Sequence, residues 1–445
     1  MSTCKKLFVV LLVGMMAMAA LPHPSATLPA AQPAHAQGPD ADGSAPIRRT
    51  TAEIMTQQRE VDVVPEARVA PLVTQPVTTT APAITEAAAV PPPSLVGAPQ
   101  TEGLEFISAT RDDSAFIPPD TMGVVGPTQF LTHLNGRIRV HDKTTGAVGA
   151  LDVSTFVFWS PLTTVNTRFW ADPRVRYDRL TDRWILSMME VAYTDPNRIA
   201  VAVSDGPVIT AATVWQYFYF VPEATPGNIA NPFVGNTCFA DHPTLGVDAN
   251  AVYIGVNMFS CDNPPYGISP FWVLRKSDLL NPATPANLSP VTGAIYGFFN
   301  PPIDFTPHGA DSYDPNATVG YVVGNAMGSN LLTHMAVCRV NGPASGTPSI
   351  VCRDVPFASR ISFPANIPGA GTPTPLGLES VGTRLYALHI RDGQIWGVVN
   401  TGTNSAGVAN WTTDDRVGLR WFAINTTSAT MAAEGMFYDS STTGN

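Results

Sequence analysis

Charge is scarce in this chain of 445 residues: only 13% are Asp, Glu, Lys or Arg. There is no HExxH, no GxSxG, no phosphate-binding loop and no dinucleotide fingerprint, which removes the metalloprotease, serine-hydrolase, P-loop and Rossmann readings. The cysteines are too far apart for CxxC zinc spacing. Long apolar runs are missing apart from Leu7 to Ala20, which is short for a bilayer span and follows the basic pair Lys5-Lys6. That arrangement reads as a signal peptide over residues 1–36, cut after Ala34-His35-Ala36 or earlier after Ala17-Met18-Ala19. No lipobox-like Cys follows the apolar run, so the expected location is secreted, extracellular or periplasmic, without a transmembrane anchor.

Loss of Lys5 and Lys6 with the signal takes the net charge from −10 to −12. An acidic surface argues against nucleic acid as a partner. What the chain does have is Pro (42) and Gly (35), as suits a turn-dense all-β protein. Residues 37–102 are rich in Ala, Pro, Thr and Val without alternating apolar content, and read as a disordered linker, with a brief helix near Thr50 to Arg59. A pro-segment or wall-crossing stalk is the functional alternative for this stretch. The folded domain is expected over 103–445.

Within that domain one unit recurs. It is clearest in ADHPTLGVDANAVYIGVNMF (Ala240 to Phe259), where a polar residue and Pro lead a short strand, a turn and a longer alternating strand. Copies begin at Asp120, Asp172, His242, His308 and Leu376, at spacings of 52, 70, 66 and 68 residues. Six residues on from each lies a turn former: Gly126, Asp178, Asp248, Asp314 or Gly382. Further strand candidates fill each period, so four short strands per repeat predict a β-propeller of four-stranded blades with five blades visible. GMFYDSSTTGN reads as the run-in to another blade, and LEFISATR (Leu104 to Arg111) as a lone strand completing a final one. The ring is therefore expected to hold six or seven blades.

The four cysteines left after the signal admit three pairings. Blade geometry puts Cys238 and Cys261 on the same face of blade 3, and Cys338 and Cys352 on adjacent strands of blade 4, which predicts those two disulfides.

IPPDTMGVVGPTQFL (Ile117 to Leu131), DPRVRYDRLTDRWILS (Asp172 to Ser187), DHPTLGVDANAVYIGVNMF and RWFAI (Arg420 to Ile424) together resemble a family of secreted bacterial β-propeller-like proteins with a PPDTxGxVGP opening and a DPxVxYDxLxDRW repeat. The resemblance covers residues 104–440. It implies architecture and export, and no reaction. Members continue into further blades, so it implies that this chain ends early.

The leading residues Asp120, Asp172, His242 and His308 open the innermost strands and should converge on the channel mouth, with Asp241 beside them and Asp311 and Glu379 further down their strands. Carboxylates and imidazoles so placed suit a divalent cation, Ca or Zn, or the hydroxyls of a sugar, or the paired carboxylates of a glycosidase. The bland alternative is that they cap strand starts. Trp184, Trp215 and Trp421 read as core, while Trp159, Trp170 and Trp411 lie in loop-like contexts where one could stack on a sugar. Asp392-Gly-Gln-Ile-Trp396 reads as a turn between the second and third strands of blade 5 with Trp396 packed between blades, and Asn316-Ala-Thr318 as turn composition. The resulting expectation is a monomeric, non-enzymatic binding propeller whose ligand is a glycan or an extracellular protein. The alternative is a polysaccharide hydrolase or lyase using Asp120, Asp172 and Asp241.

Overall fold

Five four-stranded antiparallel sheets radiate from a common centre in the computed structural model. It describes residues 43–63, 103–114, 116, 118–192, 197–234, 238–259, 269–326, 333–358, 361–362, 382–409 and 415–441. Before the first blade come β1 (Ile47–Thr50) and helix α1 (Thr51–Val63). Blade 1 is β2 (Met122–Val125), β3 (Gln129–Leu134), β4 (Arg137–Asp142) and β5 (Val148–Ser154). Blade 2 is β6 (Thr167–Asp178), β7 (Arg183–Ala192), β8 (Ile199–Ser204) and β9 (Val214–Phe220). Blade 3 has β10 (Phe239–Asp241), β11 (Gly246–Val247), β12 (Ala251–Gly255), β13 (Asn257–Phe259), β14 (Phe271–Arg275) and β15 (Ile295–Phe298), with β10 pairing β13 and the other four forming the main sheet. Blade 4 is β16 (Ile303–Gly309), continued inward by β17 (Asp311–Ser312), then β18 (Val319–Ala326), β19 (His334–Asn341) and β20 (Ser349–Pro356). Blade 5 is β21 (Leu385–Arg391), β22 (Gln394–Thr403), β23 (Arg416–Asn425) and β24 (Thr430–Phe437).

Strand composition follows position in this array. Middle strands are covered on both faces by neighbouring blades, so β8 (IAVAVS) and β12 (AVYIG) are apolar and buried throughout. The outer strand β20 (SIVCRDVP) largely alternates exposed with partly covered positions, because water reaches one side. Each of the four apolar clusters joins two consecutive blades. The face of blade 5 turned away from blade 4 carries Trp396 (42% exposed), Val398, Leu419 and Phe437 toward solvent.

Three expectations change. In blade 5 the innermost strand is β21: its His389 and Ile390 pair in parallel with Asp311 and Ser312 of blade 4. The stretch read as the second strand is thus the first, and the turn at Asp392-Gly393 is the first hairpin, with positive φ at both residues. Thr430–Phe437 then closes blade 5 as its outer strand, so Gly435, Met436 and Phe437 are not the run-in to another blade. Residues 104–110 form no strand; Phe106 packs on Phe130 and His141, and Ser108 bonds Thr132 and His141, across the outward face of blade 1.

Ile47–Val63 is ordered into β1 and α1, and the brief helix expected near Thr50 to Arg59 is present as α1. Strand β1 pairs antiparallel with β9, extending blade 2 to five strands. Helix α1 starts with a capping box in which Thr50 Oγ1 accepts from Glu53 N and Glu53 Oε2 accepts from Thr50 N. Ile54 is buried in the cluster between blades 1 and 2, and Gln58 Oε1 accepts from Ser154 N. The rest of 37–102 and the signal-like segment lie outside the described residues.

The Cys338–Cys352 disulfide links paired residues of β19 and β20. Cys238 is disulfide-bonded, and Cys261 lies outside the described residues. Replacing Cys338 and Cys352 by Ser is expected to lower stability by about 3 kcal/mol in urea titration, and an unchanged midpoint would show that strand pairing alone holds this edge.

Backbones of blades 3 and 4 meet closely at the centre. A Cβ on Gly255 would lie 2.0 Å from Pro307 O, and one on Gly309 2.4 Å from Tyr253 Cβ. Gly255→Ala is therefore expected to cost about 1–3 kcal/mol by overpacking, read as a lower thermal midpoint. A neutral outcome would mean the blades slide apart freely.

Candidate functional site

The start of the innermost strand is built alike in four blades. Asp120, Asp172, His242 and Thr306 all have positive φ (42°, 54°, 52° and 51°), and the last three each precede proline. Non-glycine residues reach this conformation at a cost of roughly 1–3 kcal/mol, and such strain clusters at functional sites. Asn side chains hold two of them in place: Asn135 Oδ1 accepts from Asp172 N (3.0 Å), and Asn257 Oδ1 from Thr306 N (2.7 Å). Thr306, and not His308, thus occupies the leading position of blade 4: the register shifts of β16 match those of β6 around Asp172, which puts Thr306 level with Asp172 and His308 level with Arg174.

Asp120, Asp172 and Asp241 do come together. Asn135 Nδ2 donates to Asp120 Oδ2 (2.7 Å), and Asp172 Oδ2 accepts from His242 N (3.1 Å). The carboxylates of Asp241 and Asp120 lie near enough to the Asp172 carboxyl to act on it. Burial, with the charges of Asp241 and Asp120 adding to it, pushes the Asp172 carboxyl up to about 7. Asp241 is raised as well, by burial, against the pull of Arg384 and Arg174.

His242 is present but already engaged. Its Nε2 faces Arg174 Nη2 at 3.2 Å, its ring meets Tyr386 edge-on at 5.8 Å, and burial with the nearby guanidiniums pushes its pKa down to about 2. It is a neutral acceptor. His308 is fully buried, with Nδ1 2.7 Å from Gly309 O and Nε2 3.0 Å from Tyr386 O, so neither nitrogen faces a ligand. Asp311, 1% exposed, is held by Arg176 (2.8 Å) and accepts from Val247 N (2.9 Å), a structural tie across the centre. Glu379 lies outside the described residues. Among the described residues no three His, Cys, Asp or Glu side chains are grouped to hold a metal ion.

Sequence reasoning missed Arg174, Arg384, Tyr386 and Asn135. Arg174 had a signal: Asp172, Arg174, Arg176 and Asp178 alternate along β6 and so share one face of an innermost strand. Nothing local marks Asn135, which ends β3 and reaches two blades. The loop tryptophans are corrected too: Trp159 and Trp170 are fully buried and stacked at 5.6 Å, so neither is a sugar platform. Trp411 is outside the described residues, and Trp396 stacks on Trp421 of its own blade at 6.3 Å instead of between blades.

The blades and their convergent inner strands define a β-propeller with a carboxyl-lined centre. No protein-family model matches the chain, nor does any curated protein. Among solved structures it is similar to a GH43 β-1,3-galactosidase (12% identity, TM-score 0.33, 70% of this chain and 57% of that one). It is also similar to an exo-β-1,3-galactanase from Clostridium thermocellum (12%, 0.31, 72% and 61%). A GH43_1 enzyme from Xanthomonas citri matches at 12% identity and TM-score 0.31, over 74% of this chain and 92% of that one. The chain spans about three-fifths of the length of the first two. At such TM-scores the likeness says nothing of what this chain binds or acts on.

Proposed function

We propose that this chain is an exported binding protein whose channel mouth takes a glycan through Asp120, Asp172 and Asp241. The gathering of these carboxyls, tied through Asn135 and the His242 N–H, carries this reading. The three carboxyls offer acceptors, with the Arg174 guanidinium adjacent as a donor, as the hydroxyls of a sugar require. Among the described residues no helix is long and apolar enough to cross a membrane.

The test is a glycan array beside turnover assays on the same polysaccharides. Binding without turnover is expected, and binding of surface protein with no glycan bound would assign the other partner class. Turnover that Asp172→Asn or Asp241→Asn abolishes would replace this reading with a hydrolase or lyase.

A further inference from the structure

We infer a second ligand site, for a carboxylate-bearing sugar, at the opposite end of the innermost strands. Asp172 lies within β6 at the channel mouth, and Asp178 ends that strand six residues on, about 20 Å away at the rise of an extended chain. At that far end lies an open cleft of about 930 Å³, within the size range of ligand sites. Its walls come from three blades: Arg179 from blade 2, Tyr313 and Asp314 from blade 4, and His389, Arg391 and Asp392 from blade 5.

The lining mixes charged and polar groups with apolar surface. Two guanidiniums face it without a committed carboxylate. Arg179 lies over the Tyr313 ring at 4.7 Å and, among the described residues, makes no ion pair. Arg391 has only the neighbouring Asp392 at 4.0 Å, with both side chains more than four-fifths exposed, a geometry that contributes almost nothing in water. Asp314 is turned to its own loop, where Oδ1 accepts from Asn316 N (2.9 Å), and Asp311 is taken by Arg176. The cleft thus sets two guanidiniums beside a part-exposed tyrosine, with the carboxylates of Asp314 and Asp392 on the same lining. Guanidiniums bind carboxylates in a planar fork, and a tyrosine ring packs on the C–H face of a pyranose. A uronate offers both. This site stands apart from the channel mouth and does not rest on it.

Calorimetric titration with tetragalacturonate and with its methyl ester tests this. The acid is expected to bind about tenfold or more tightly than the ester, as a charge-assisted hydrogen bond is worth, with affinity falling as salt rises. Arg179→Gln and Arg391→Gln should each weaken the acid by a similar factor and leave the ester unaffected. Arg391 sits on an exposed turn, so its variant keeps the test decisive if Arg179→Gln does not fold. Equal binding of acid and ester, no binding of either, or wild-type affinity in Arg391→Gln would overturn the proposal.

Discussion

Lys276→Met is expected to lower the stability of the propeller by about 3–5 kcal/mol, the cost of leaving one charge of a buried pair alone. Lys276 and Asp178 are both almost fully buried (3% and 2% exposed side chains), and Nζ lies 2.8 Å from Asp178 Oδ2. The same ammonium donates to Asp248 O, so one side chain joins the first hairpin turns of blades 2 and 3. Asp178 would retain the Leu180 N–H and the Thr181 hydroxyl, which bind its oxygens but bring no positive charge. Adding Asp178→Asn removes the stranded carboxylate and should recover most of the loss. Urea titrations of the single and double variants measure this, and a loss below about 1 kcal/mol for Lys276→Met would mean that water reaches the pair.

Asp172→Asn is expected to stabilise the fold above pH 7 while weakening glycan binding. The Asp172 carboxyl has its folded value raised from 3.8 to about 7. A raised carboxyl binds its proton more tightly in the folded state, so its contribution to stability is greatest at low pH. That contribution falls as pH climbs from about 4 to about 7 and is flat above. Glu223, raised to about 7 by burial, and Asp304, raised to about 6, act in the same direction. Asparagine resembles the protonated acid and carries no ionisation penalty, so the variant gains on the order of a few kcal/mol at pH 8 over wild type and almost nothing at pH 4. Binding should fall about tenfold at pH 7 if the ionised form accepts a sugar hydroxyl. Thermal melts at the two pH values, beside calorimetry with a glycan bound by wild type, separate these effects. A variant less stable than wild type at pH 8 would place Asp172 among the ordinary strand caps. Gain of stability with loss of binding is the pattern of a site kept at a cost to the fold.

Several features were legible because they are local. Alternating apolar strands and the turn formers between them follow from the two-residue strand period and from turn stereochemistry. The blade architecture and the Cys338–Cys352 pairing follow from them, since residues on adjacent antiparallel strands must meet. The convergence of Asp120, Asp172 and Asp241 was legible as well, because strand starts in a propeller point to one place.

Other features were decided only by packing. Any of the alternating segments after residue 376 could serve as the innermost strand of blade 5; β21 takes that place because its backbone pairs with Asp311 and Ser312 of the preceding blade. The pairing of β16 with β18 puts Thr306, and not His308, at the position that Asp172 holds in blade 2. Residues 47–63 look too sparse in apolar content to order themselves, and they order because the open edge of β9 supplies hydrogen bonds and the seam between blades 1 and 2 accepts Ile54. The raised carboxyl of Asp172 belongs to this second group. Residue types along a chain set which groups are present, but a pKa depends on the solvent removed and the charges brought near, and only the closed arrangement of blades sets those.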